Sequence, residues 1–407
     1  GSGAVGGVIQ IFTRRGEGAP RAYAGTEVGS HGSARASAGV AGQSGDTRYS
    51  IGAARRVTEG FSAMNTQQYP GENPDRDGYR NSSAHASVDH RWAAGQSVGL
   101  RLHGVDGRTA FDGGGNGSTT DRYFGRNRFG SATLVSQNRL GDGWTSDLSL
   151  GAGQERSVYD ARLTSFPYRS EATTRTRTLS WVHTVIAGAR TFTAGVERQA
   201  QQIEASDTFG VQPGQERRVT SVFGGVTGDA GAHSVQANLR HDRTDGGLSR
   251  STGYLGYGYR FSEAWTGTLS ASRSKVVIDD YSAFAWGSEE GWQSHFSPEG
   301  DYDIYDFRSP DDTRRIDEAQ AMLNGRFDAM GVSHELTLGT SAQRRTVDQR
   351  SYYNELLEQG GNIYNGSPAQ PPSDKPIGSS ERRLDSRQYG LFISDRITFN
   401  EQWQTVI

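Results

Sequence analysis

The 407 residues carry 43 Lys and Arg against 46 Asp and Glu, so the chain lacks the basic surplus that nucleic-acid binding requires. Cysteine is absent, which removes disulfides, thiolate metal sites and thiol catalysis together. Only 33% of the residues are hydrophobic, thin for a soluble core of this length, yet 10% aromatics and 55 glycines exclude a disordered chain.

The chain opens on a small-residue turn, Gly1-Ser2-Gly3-Ala4-Val5-Gly6-Gly7, that runs into Val8-Ile9-Gln10-Ile11-Phe12-Thr13-Arg14-Arg15. Beyond it, period-two alternation is the dominant signal. Val98, Leu100 and Leu102 interleave with Ser97, Gly99, Arg101 and His103. Trp144, Leu148, Leu150 and Ala152 share one face, and Thr145, Asp147, Ser149 and Gly151 share the other. Further rows are Phe192, Ala194 and Val196; Val235, Ala237 and Leu239; and Leu255, Tyr257, Tyr259 and Phe261. Such runs predict about thirteen strands between Ala22 and Arg273 and roughly four more after Glu318. No stretch approaches the ~18 apolar residues of a spanning helix, but closed sheets cross membranes with strands of about 9–11 residues.

Arg101, Arg240 and Arg260 lie opposite the apolar rows. Facing lipid they would cost roughly 2–4 kcal/mol each, so the pattern places hydrocarbon outside and a wet lumen inside. Short turns are expected at Gln43–Asp46, Ala93–Gly95, Gly141–Gly143, Asp229–Gly231 and Ser262–Ala264. They alternate with long polar connections at Thr58–Ser82, Gly107–Arg126, Ser157–Ala172 and Gln201–Gln215. Short periplasmic turns and long extracellular loops are the habit of outer-membrane barrels. Trp92, Trp144, Trp265 and Trp403 flank short turns, as an interfacial aromatic girdle would.

The opening segment resembles the last plug strand of TonB-dependent outer-membrane receptors. The resemblance implies an all-β chain: an antiparallel transmembrane β-barrel with a plug remnant over residues 1–18. It also implies an incomplete barrel, about 17 of an expected 22 strands. Residues 19–273 resemble the cobalamin receptors in loop lengths and strand order. Residues 274–407 resemble the ferric-siderophore receptors, through Asp279-Asp280-Tyr281-Ser282-Ala283-Phe284-Ala285-Trp286-Gly287, Tyr302–Pro310 and Ser386–Arg396. Two readings stay open: one divergent receptor with a long extracellular excursion at Val276–Ile316, or a joined sequence from two related receptors. The second is preferred on the resemblance alone.

Candidate chemistry concentrates in the polar connections. Glu72-Asn73-Pro74-Asp75-Arg76-Asp77-Gly78 sets carboxylates two residues apart, on one side of an extended segment and able to converge on a hard cation. Asp-Gly and Asn-Pro-Asp are equally ordinary turn formers. The cobalamin-receptor resemblance implies calcium at Asp75, Asp77, Asp112 and Asp121, ordering the loops around the ligand; a fifth acidic position of that family is Ser62 here. Phe61, Met64, Tyr69, Phe111, Tyr159, Phe166, Tyr168 and Phe209 are candidates for a surface around a corrin ring, and Tyr281 and Trp286 for siderophore contact. No His-Glu-x-x-His, phosphate-loop lysine or nucleophile signature is present, and the resemblance implies no covalent step. The expected role is a monomeric, multi-pass Gram-negative outer-membrane transporter of cobalamin or a ferric siderophore, partnered by the TonB complex. The alternatives are a passive porin or adhesin.

Overall fold

The computed structural model describes residues 16–62, 64–65, 67–113, 118–287, 296–350, 353–356, 360–365 and 378–407. The expected plug strand over Gly1–Arg15 lies outside them. Gly16 is buried where the chain enters the sheet: a Cβ there would meet the backbone oxygens of Tyr49 and Gly42, so only glycine fits.

Every described element is a strand. The first eight are β1 (Arg21–Gly29), β2 (Ser33–Ser44), β3 (Thr47–Thr58), β4 (Tyr79–Ala93), β5 (Gln96–Phe111), β6 (Arg122–Gly141), β7 (Trp144–Arg162) and β8 (Tyr168–Ala187). Then follow β9 (Arg190–Asp207), β10 (Gly210–Ala230), β11 (His233–Thr244), β12 (Leu248–Arg260), β13 (Trp265–Trp286), β14 (Asp301–Ala329) and β15 (Val332–Arg350). The short β16 (Tyr353–Leu356) and β17 (Gly361–Asn362) precede β18 (Ser380–Thr398) and β19 (Gln404–Val406). The thirteen strands expected up to Arg273 are β1–β13, and the four expected later are β14, β15, β18 and β19; β16 and β17 had no signal.

Two compact units divide the strands. In the first, β1 to β8 pair with their sequence neighbours, all antiparallel. In the second, β11 to β15 do the same, and β15 then pairs β18. All five short turns stand where expected, and Gly45, Gly95, Gly143 and Gly231 supply the positive φ that such reversals need.

Register fixes the faces. Leu100, Leu134, Leu150 and Leu179 stand opposite one another across β5 to β8, as one apolar row. These leucines are 38–45% exposed. The only buried apolar side chains among the described residues are Ala161 and Ile304, so no dry interior lies behind the rows. Charge pairs on the other face, as where Arg101 donates to Asp89 at 2.6 Å.

The long connections need correction. That after β5 shrinks to 112–121, that after β7 to 163–167 and that after β9 to two residues. The expected excursion over Val276–Ile316 is mostly ribbon: β13 runs through Ser274 and pairs β14 as far as Trp286 opposite Asp303. A ribbon with polar residues on both faces loses the alternation that marks a strand, so its composition reads as loop although the ladder continues.

Candidate functional site

Asp75 and Asp77 lie between β3 and β4, and Asp112 follows the last residue of β5. The fold brings carboxylate oxygens of the three within 4.8 Å of one another. Two oxygens on one calcium ion lie at most about 5 Å apart, given bonds of 2.3–2.6 Å, so the all-oxygen set fits a hard cation. Asp112 is held by Ser62 Oγ, which donates to its Oδ2 at 2.8 Å, and by the Met64 amide at 3.2 Å. Ser62 therefore anchors the Asp112 carboxylate.

Asp121 stands outside that group and ties the segments together. Its carboxylate accepts from the Thr164 amide at 2.7 Å, the Thr164 hydroxyl at 3.0 Å and the Ser118 amide at 2.9 Å. Asn73 donates to its backbone carbonyl at 2.9 Å. The amides of Thr164 and Ser118 hold the buried carboxyl below the usual carboxylate range.

The aromatic candidates assemble on the polar face at the same end. Phe111, Tyr123, Ala161 and Tyr168 form one register row across β5 to β8. Phe111 lies 5.9 Å from Tyr123 and 5.7 Å from Tyr159, and Tyr159 lies 5.9 Å from Tyr168. Tyr168 continues to Phe209 at 6.2 Å, and Phe209 stacks on Phe166 at 5.8 Å. Ala161, at 1% exposure, sits between Tyr123 and Tyr168 in the row. Phe111, Tyr159 and Tyr168 are thus strand residues, and Tyr123, hidden at a strand start, is the ring that the sequence did not signal.

Phe61 packs instead on His31 at 5.2 Å, Met64 serves the cluster through its amide, and the Tyr69 amide donates to the Asn65 carbonyl. In the second unit Tyr281 stands opposite Arg308 and Trp286 opposite Asp303 on the β13–β14 ribbon, where Phe284 stacks on Tyr305 at 6.2 Å.

No protein-family model matches the sequence. The chain is similar in structure to the ferric yersiniabactin uptake receptor of Yersinia pestis: TM-score 0.56, 12% identity, over 97% of this chain and 75% of that one. A ferric enterobactin receptor of Pseudomonas aeruginosa gives a TM-score of 0.55 at 12% identity, over 98% and 75%. The copper transporter OprC gives 0.54 at 12%, over 95% and 67%. The fold is that of the TonB-dependent outer-membrane receptors. These TonB-dependent barrels are named for siderophores and copper, and none for cobalamin.

Proposed function

We propose that the chain belongs to a transporter that draws a scarce metal-bearing chelate through the Gram-negative outer membrane, energised by TonB. The apolar rows would meet lipid and the polar face a lumen. The aromatic run from Tyr123 to Phe166, at the loop end of the polar face, carries the reading. Flat, half-exposed rings offer stacking area to planar or delocalised ligands at low entropic cost. Capture and release need no covalent step.

A ferric siderophore is the first ligand reading, supported by the names of the similar barrels. Cobalamin is the second, favoured by the convergence of Asp75, Asp77 and Asp112. On that reading the three carboxylates would hold calcium, with backbone carbonyls and water completing its shell. The ion would neutralise their mutual repulsion and fasten the segment before β4 to the end of β5.

Calorimetry of the detergent-purified protein with ferric enterobactin, ferric yersiniabactin and cyanocobalamin, with and without calcium, tests the proposal. Binding to one chelate is expected, weakened roughly tenfold by Y159A/Y168A, given ~0.5–1.5 kcal/mol for each aromatic contact. Failure to bind any of them, or unaltered binding by the double variant, would overturn it.

A further inference from the structure

The apolar face changes character toward the loop end. Outward from the leucine row on β5 to β8 comes Leu102, Ala132, Ala152 and Arg177, then Gly104, Gly130, Gln154 and Arg175. The next rows are Asp106, Arg128, Arg156 and Thr173, then Arg108, Arg126, Val158 and Glu171. Pairing runs unbroken from the leucines to these residues, so the arginines share the face of the leucines and point away from the aromatic run.

Arg108, Arg126, Arg128, Arg156, Arg162 and Arg169 line a recess of about 210 Å³. Asp106 pairs with Arg126 and Arg128, Glu171 with Arg156 and Arg169, and Asp160 with Arg162, which leaves a surplus of three positive charges. The Arg108 guanidinium lies over the Phe124 ring at 4.3 Å and that of Arg162 at 5.4 Å. Among the described residues Arg108 pairs with no carboxylate. A ring beneath a guanidinium fixes its plane and leaves its N–H edge free for two oxygens of one anion.

Height identifies the anion's source. Arg156 is twelve residues beyond Trp144 on β7. At about 3.4 Å per residue and a tilt of 35–45°, that is roughly 30 Å, just past an apolar band about 25 Å tall. The second unit independently repeats the arrangement. Leu255, Ala271, Ala319, Ala342 and Tyr389 form an apolar row, and the row outward is Gly253, Arg273, Asp317, Arg344 and Arg387. Lys275 and Arg315 follow in the next.

We propose that the outward arginine cluster of the first unit seats the phosphate groups of an outer-leaflet lipid, whose acyl chains lie along the leucine rows below. The proposal rests on the outer-membrane reading. Bidentate arginine–phosphate pairing supplies the specificity, and the apolar rows distinguish an anchored headgroup from a free anion.

The test places the full-length protein in phosphatidylcholine nanodiscs and measures retention of bisphosphorylated lipid A, its dephosphorylated form and inorganic phosphate by native mass spectrometry. Retention of the bisphosphorylated form alone is expected. R108Q/R162Q/R169Q should lower it about a hundredfold, on the order of fivefold for each arginine. R91Q/R139Q, remote from the recess, should leave it unchanged. Equal retention of the dephosphorylated lipid, equal retention by the triple variant, or inorganic phosphate bound as tightly as the lipid would overturn the proposal. Protein that fails to insert into the discs would refute the outer-membrane reading instead; inserted protein without phosphate preference refutes the lipid seat alone.

Discussion

Asp112 is the carboxylate on which the proposed calcium reading turns. Two donors grip one of its oxygens, and the segment carrying Asp75 and Asp77 folds back toward it. Arg76, exposed between those two aspartates, is a built-in reporter. Calcium at ten times its dissociation constant should slow trypsin cleavage after Arg76 roughly tenfold. In D112N the slowing should vanish; unchanged slowing there would remove the calcium reading. Asp121 invites a different experiment. Its folded pKa is depressed, so its stabilisation is present above the unfolded value of about 3.9 and is lost as pH falls through the lower folded value. Hydrogen exchange at the Thr164 and Ser118 amides should stay slow at pH 5 and quicken only below about pH 4. D121N turns an amide toward one donor, costs about 1–3 kcal/mol locally, and should make that exchange quick at both pH values.

At the scale of the strand, alternation made the fold readable. Val98, Leu100 and Leu102 against Gly99, Arg101 and His103 predicted both a strand and its two environments, and β5 carries both. Of the four acidic candidates the fold gathers three, since Asp75 and Asp77 share a segment and Asp112 directly follows the end of β5. Asp121 was not separable from them, because its hydrogen-bond partners come from Ser118 and Thr164, the latter 43 residues away. The strand ends were misread for the reason already given: polar on both faces, β6 before Arg128 and β7 after Gln154 look like loop. The environments can be tested in pairs. L150R, on the apolar row, should lower the stability of protein refolded in phosphatidylcholine vesicles by roughly 2–4 kcal/mol. T133R, on the opposite face of the neighbouring strand, should stay within about 1 kcal/mol in the same denaturant titration. Equal costs would mean that the faces have been assigned wrongly.

The molecule as a whole inverts the usual arrangement of a folded chain. Among the described residues many leucines, valines and tryptophans are exposed while aspartates such as Asp242 and Asp306 are buried. Such a protein needs an amphiphile as solvent. Purified protein diluted from detergent into buffer should sediment, whereas with phospholipid vesicles present it should float with them and resist extraction at high pH. The two-sided ribbon above the apolar rows also restricts how this sequence can drift. Aromatic rings and guanidinium groups stand back to back on β6, one position apart at Tyr123 and Arg122, and at Phe129 and Arg128. Deleting a single codon near Gly130 would swing every side chain beyond it through half a turn, carrying arginines to the face of the aromatic run and tyrosines to the face of the leucines. Losing two codons would merely shorten the ribbon. Length variation among descendants of this gene should therefore arrive at that point in even steps.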